Sequence, residues 1–399
     1  MEPKIRLKGF SGDWNESKLN SFLTPSTSKN RDGKFTKEDV LSVSGEYGIV
    51  NQIALKGRSF AGVSVLNYGV VENKDIVYTK SPLRTNPYGI IKANEGVAGI
   101  VSTLYAIYKS SELTDSTFVQ YYFELDSRLN SYLRPLVRKG AKNDMKVSAK
   151  DALLGNVRFP SYEEEQAIAE FFKQLDSLIQ STTKKIESLK QVKAASLQSM
   201  FPQKGETTPR VRFKGFGGEW EETLLGTVFS ERCEYSPSAE MLSVTMNQGV
   251  IKASDNGRID NSNSDKSKYK LVKIDDIAYN SMRMWQGACG CSKYEGIVSP
   301  AYTVIAPKGD ICSSFFSYMF KTNRMLRVFR LNSQGLTSDT WNLKYPAFSK
   351  LSVVYPKNIG EQHAIADYFT NLDSQISLQT QRLEKLKQIK SACLDNMFV

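Results

Sequence analysis

The chain has 399 residues, with 53 Lys plus Arg against 42 Asp plus Glu, a net charge of +11 and a pI near 9.2. An apolar fraction of 40% with 24% charged residues is ordinary globular usage, which excludes wholesale disorder, collagen and a disulfide-stapled miniprotein, and the length allows two or three domains. The basic balance favours a polyanionic partner, and a single His leaves little room for catalysis by a His triad or a His-rich metal site.

The N-terminal segment KIRLKGFSGDWNESKL (Lys4 to Leu19) returns as RVRFKGFGGEWEETLL (Arg210 to Leu225), with eight of 16 positions identical. The chain is therefore a tandem repeat. Between residue 19 and about residue 158 the sequence is strand-rich, with some helix. DIVY (Asp75 to Tyr78) and GIVSTLY (Gly99 to Tyr105) are short apolar or alternating runs between turn residues. They reappear as DIAY (Asp276 to Tyr279) and GIVSPAY (Gly296 to Tyr302). Next, the apolar stripe of Tyr121, Phe123, Leu125, Leu129 and Leu133 predicts a helix over 117–140, with a counterpart over 314–335.

The positive charge is local. Seven Lys or Arg lie between Arg128 and Lys150 against Asp144 alone, and six lie between Lys321 and Lys350 against Asp339 alone. Both clusters occupy the late helix and the polar loop after it, GAKNDMK in the first half and GLTSDTWN in the second. Cations neutralise phosphates, and uncharged polar side chains reach base edges. The first cluster offers Arg134, Arg138, Lys139, Lys142, Asn143 and Lys146 as DNA-binding candidates. The second offers Arg324, Arg327, Arg330, Ser333, Gln334, Thr337 and Ser338. The loops after DIVY and DIAY add Arg84, Asn86, Arg283, Trp285 and Gln286; Trp285 suits a core position equally well.

The longest repeat follows. Ala167 to Phe201 returns as Ala364 to Phe398, with 18 of 35 positions identical. Each copy predicts one uninterrupted helix. Phe172, Leu175, Ile179, Thr182, Ile186 and Leu189 recur at alternating spacings of three and four, and so do Phe369, Leu372, Ile376, Gln379, Leu383 and Leu386. Such a helix of ~38 residues is roughly 57 Å long, too long and one-sided for a compact domain alone. Pairing the two copies as an antiparallel coiled coil places the variable domains at opposite ends. FPQKGETTPR (Phe201 to Arg210) reads as a linker.

Several chemistries find no support. There is no G-x-x-x-x-G-K-[ST] phosphate loop. NPYG (Asn86 to Gly89) is only a partial match to an amino-methyltransferase motif. Cys289 and Cys291 lack a second pair at zinc spacing, so no metal site is expected. Asp176 and Asp373 read as ordinary helix carboxylates. No run of 18 apolar residues is present, MEPKIRLKGF lacks an apolar signal region, and five cysteines fit a reducing cytoplasm. The expectation is a cytoplasmic protein with no membrane span.

KGFSGDW and KGFGGEW at the domain starts, with EEEQAIAEFF (Glu163 to Phe172) and GEQHAIADYF (Gly360 to Phe369) leading into the long helices, resemble the specificity (S, HsdS) subunit of type I restriction–modification systems. The resemblance covers the whole architecture, although the first helix start aligns Glu164-Glu165-Gln166 with Glu361-Gln362-His363. It implies an α+β fold. Two pseudo-symmetric target recognition domains (1–158 and 204–354) alternate with two long spacer helices (159–203 and 355–399) that pair as an antiparallel coiled coil. It further implies a non-catalytic chain that reads a bipartite double-stranded DNA site and bridges two methyltransferase and two restriction subunits. S-adenosylmethionine and ATP with Mg are then expected on those partners and none on this chain. The alternative is a stand-alone two-domain DNA-binding protein.

Overall fold

The computed structural model describes residues 2–80, 86–139, 145–256 and 265–399, with the backbone alone at 138–139 and 145–146. The chain forms two compact units. Unit 1 comprises Met1–Thr183 with Arg382–Val399, and unit 2 comprises Lys184–Gln381.

Unit 1 begins with β1 (Asn15–Lys18), β2 (Leu23–Pro25), β3 (Leu41–Ser44), β4 (Gly48–Asn51) and the short helix α1 (Gln52–Lys56). There follow β5 (Gly69–Val71), β6 (Ile76–Tyr78), β7 (Ile91–Ala93), β8 (Gly99–Val101) and β9 (Ala106–Ser110). Helices α2 (Ser116–Tyr122) and α3 (Asp126–Leu133), the hairpin β10 (Arg138–Lys139) and β11 (Met145–Lys146), and β12 (Asn156–Phe159) lead into the long helix α4 (Tyr162–Ser199).

Unit 2 runs through β13 (Glu221–Leu224), α5 (Leu225–Val228), β14 (Phe229–Glu231), β15 (Leu242–Thr245), β16 (Gly249–Lys252), β17 (Lys270–Val272), β18 (Ile277–Asn280), β19 (Cys289–Cys291), β20 (Gly296–Val298) and β21 (Tyr302–Pro307). It continues with α6 (Ser313–Met319), α7 (Asn323–Asn332), α8 (Tyr345–Phe348), β22 (Ser352–Tyr355) and the long helix α9 (Ile359–Asn396).

The central sheets have the same order, β2-β9-β6-β7 in unit 1 and β14-β21-β18-β19 in unit 2. Side chains alternate across a strand, and the repeated apolar run uses both faces. Ile76 and Tyr78 enter the core beneath the helices, whereas Val77 faces a smaller cluster with Val71, Val101 and Ile107. Ile277 and Tyr279 divide from Ala278 in the same way.

The helices predicted over 117–140 and 314–335 are each broken in two. Thr322 accepts a hydrogen bond from the Met325 backbone at 3.3 Å and starts α7 afresh. The break lets Phe118 and Leu133 in unit 1, and Phe315 and Phe329 in unit 2, reach one core. The predicted linker at 201–210 begins on a packed residue and is exposed over most of the rest. Phe201 is buried and stacks on Phe369 with centroids 5.9 Å apart, as Phe398 stacks on Phe172 at 5.7 Å.

Each unit pairs half of α4 with half of α9, chain directions opposed. In unit 1 Lys390 contacts Asp176 at 2.7 Å; in unit 2 Lys193 contacts Asp373. Tyr121 donates to Asp176 and Tyr318 to Asp373, both at 2.9 Å, and a lysine ammonium lies over each tyrosine ring. These matching sets tie each domain to the helices. On the seam Phe172, Leu175, Thr182, Ile186, Phe369, Leu372 and Leu383 are buried, and Ile179, Leu189, Ile376, Gln379 and Leu386 are half-buried.

The repeated start motif has a structural purpose. Arg6 donates to both carboxylate oxygens of Glu164 at 2.8 and 2.7 Å and to the carbonyls of Ser11 and Gly12. Arg212 repeats this on Glu361, at 2.6 and 2.7 Å, and on the carbonyls of Gly217 and Gly218. Such two-pronged charged bonds are strong and directional. They pin the start of each domain to the first turn of a long helix, while Trp14 and Trp220 fill the core beside it.

Candidate nucleic-acid interface

The fold redistributes the basic residues, and the clearest surface lies in unit 2. Helix α7 carries Arg327 and Arg330 on its exposed side, and Met325 and Phe329 on its buried side. The loop after it is closed by reciprocal backbone bonds, Gln334 N–H to the Asn342 carbonyl at 2.9 Å and Asn342 N–H to the Gln334 carbonyl at 2.8 Å. Gly335 has φ +140°, and a Cβ there would lie 2.6 Å from the Thr340 carbonyl, so the loop requires glycine. Thr340 braces the turn, donating its N–H to the Thr337 carbonyl at 3.0 Å and accepting from Thr337 N–H at 3.1 Å. Gln334, Thr337 and Ser338 are exposed on this loop.

The second predicted loop meets the first. Trp285 packs edge-on against Trp341, with centroids 5.2 Å apart, and the Arg330 guanidinium lies 5.6 Å from the Trp341 ring centre. Leu343 N–H donates to the Ser281 carbonyl at 2.8 Å, joining the two loop bases. Trp285 donates its ring N–H to the Met282 carbonyl at 3.1 Å, and exposed Arg283 donates to Gln286 at 3.3 Å. Thus Arg283, Trp285, Gln286, Arg327, Arg330, Gln334, Thr337 and Ser338 share one region of unit 2. Trp341 belongs there too but escaped the sequence reading. An aromatic residue within the polar segment GLTSDTWN was its only signal.

Other candidates are engaged within the fold. Arg324 donates to the carbonyls of Pro202, Gln203 and Glu206 at 3.2–3.4 Å, holding the segment after α4. Its counterpart Arg128, part of the first basic cluster, donates to the carbonyls of Tyr122 and Leu394 at 3.0 and 2.9 Å. Burial lowers the Arg128 pKa. Asn86 is buried and donates its amide to Asp126 at 2.7 Å, so it is not displayed to a base edge. Ser333 donates its hydroxyl to the Phe329 carbonyl at 2.7 Å, ending the helix. These four side chains are committed to the scaffold by geometry that chain spacing does not reveal.

In unit 1 Arg134 is exposed at the end of α3. The hairpin β10–β11 sets Arg138 opposite Lys146 and Lys139 opposite Met145 in register. This hairpin occupies the place that the Gln334–Asn342 loop takes in unit 2, so the two basic regions differ in backbone as well as in sequence. Arg84, Lys142 and Asn143 lie outside the described residues.

Cys289 is buried in β19 and Cys291 partly so, and burial raises both thiols, that of Cys289 to about 11. Among the described residues no group of three His, Cys, Asp or Glu side chains is placed to hold a metal ion. No helix among them is long and apolar enough to cross a membrane.

Residues 217–388 match the model of the type I restriction modification DNA specificity domain. No curated protein matches the chain significantly. Among solved structures, the S subunit of a type I restriction-modification system from M. genitalium aligns over 100% of this chain and 99% of its own, with a TM-score of 0.60 at 13% identity. The HsdS subunit from Thermoanaerobacter tengcongensis aligns over 97% and 96%, with a TM-score of 0.46 at 14% identity. The chain thus resembles the specificity subunit of type I restriction–modification systems in fold from end to end, and its residues 217–388 match the model of the DNA specificity domain of those systems.

Proposed function

We propose that this chain is the DNA sequence-recognition subunit of a type I restriction–modification complex. Each α+β domain reads one half of a bipartite double-stranded site, and the antiparallel helices set the gap between halves. The chain also serves as the scaffold for two methyltransferase and two restriction subunits. It performs no catalysis itself; S-adenosylmethionine and ATP with Mg are held by the partners.

The observation that carries this reading is an internal contrast. The scaffold is duplicated down to single hydrogen bonds: Arg6 with Glu164 and Arg212 with Glu361, Tyr121 with Asp176 and Tyr318 with Asp373. The segments that carry the two basic clusters differ in backbone, a pair of two-residue strands in one unit and a Trp-braced loop in the other. One fold bearing two different basic readers suits a target made of two different half-sequences. A split target also needs a spacer, and the two 38-residue helices are suited to that task.

The test is to co-express the chain with the neighbouring methyltransferase subunit and map methylated adenines across the host genome by single-molecule sequencing. The expected result is one split motif with a fixed gap, methylated once in each half. A stable complex with an active methyltransferase but no motif would overturn the reading.

A further inference from the structure

The apex of the Trp-braced loop in unit 2 carries a side chain that the fold does not use. Leu336 is 101% exposed, while Leu343 at the far end of the same loop is fully buried. Leaving a leucine in water forgoes the ~1.5–3 kcal/mol that burial of such a side chain supplies. The position is not a slack one. Gly335, the Thr337–Thr340 turn and the paired backbone of Gln334 and Asn342 fix the loop, and Trp341 anchors it on Trp285. The leucine is therefore held out from a rigid support, with exposed Arg327 and Arg330 on the adjoining helix.

We propose that Leu336 is a base-reading residue that packs against the C5-methyl group of a thymine in the major groove. This inference rests on the DNA-recognition reading above. Polar Gln334, Thr337 and Ser338 on the same loop match the donor and acceptor edges that the major groove displays, and the thymine methyl is the apolar group on those edges. An aliphatic tip among polar neighbours supplies a larger apolar surface for that methyl than they offer. The arginines hold the flanking phosphates and fix the height of the tip above the bases.

The experiment uses the full chain co-expressed with its methyltransferase partner, as wild type, Leu336→Ser and Leu336→Met. Genome methylation is mapped for each. The wild-type motif should contain an obligatory thymine in one half-site, with a preference of roughly 5- to 150-fold over other bases. Leu336→Ser should relax that position alone, and Leu336→Met should retain it. In vitro, replacing that thymine by deoxyuridine removes only the methyl group. It should weaken binding by the wild-type complex about fourfold, the equivalent of one buried methyl, and leave the Leu336→Ser complex unchanged. An unchanged motif in Leu336→Ser, a uniform loss of methylation without relaxation, or equal sensitivity of both complexes to deoxyuridine overturns the assignment. A wild-type complex with no motif overturns the recognition reading itself, and this inference with it.

Discussion

Glu165 and Gln362 occupy equivalent places at the starts of α4 and α9, and both are fully buried. Gln362 accepts from the Cys312 backbone N–H at 2.9 Å and donates its amide to the Pro356 carbonyl at 2.8 Å. Glu165 accepts from the Asp115 backbone N–H and the Thr114 hydroxyl, both at 2.7 Å, on one oxygen. Its other oxygen has no partner. Burial pushes this carboxyl up from 4.5 to about 8; the two hydrogen bonds pull it down, and the Asp115 charge adds a smaller upward push. The folded state therefore binds the proton more tightly than the unfolded chain. The associated stability is present below the unfolded pKa and is lost as pH rises through the folded one. Between pH 5.5 and 8.5 that loss is about 3 kcal/mol, at 1.36 kcal/mol per unit of pKa shift. Glu165→Gln places in unit 1 the side chain that unit 2 already uses, and removes the ionisation. Calorimetric melting should find variant and wild type similar at pH 5.5. At pH 8.5 the variant should melt higher by roughly 6–12 °C, the conversion for a unit of this size. A Tm difference independent of pH, or a variant less stable at pH 8.5, would refute the argument.

Arg212→Met should destabilise unit 2 by about 3–5 kcal/mol in denaturant unfolding, because it strands the buried Glu361 carboxylate; a cost below 1 kcal/mol would contradict the buried ion pair. Neutralising Arg327 and Arg330 together to Gln should weaken DNA binding and reduce the salt slope by about 1.8, measured by titrating affinity against salt concentration. Arg324→Gln, one helical turn away, should instead lower the stability of unit 2 through its lost bonds to the Pro202, Gln203 and Glu206 carbonyls, visible in thermal melting without DNA. Inserting four residues, about one helical turn, near Thr182 should lengthen the recognised gap and leave both half-sites unchanged in methylation maps; altered half-sites would contradict the spacer model.

The duplication, the two long helices, their seams and the positions of the basic clusters were all legible in the sequence. Each is written in spacing or identity along the chain, and helix periodicity follows from local geometry. Which cations serve the scaffold was not legible. Arg324 and Arg330 stand on one short helix, yet one grips backbone carbonyls and the other faces outward over Trp341. Only the packing of that helix assigns its faces. The break between α6 and α7 was hidden too, because the apolar stripe continues across the capping Thr322. Trp285 and Trp341 belong to different loops, and nothing in either segment announces the other. The start motifs were visible as a repeat but not as a clamp, since Arg6 and Arg212 find their carboxylates far along the chain. Periodic and repeated features thus came from the sequence, whereas partnership between distant side chains was decided by the tertiary fold, because burial and hydrogen-bond geometry exist only once the segments have met.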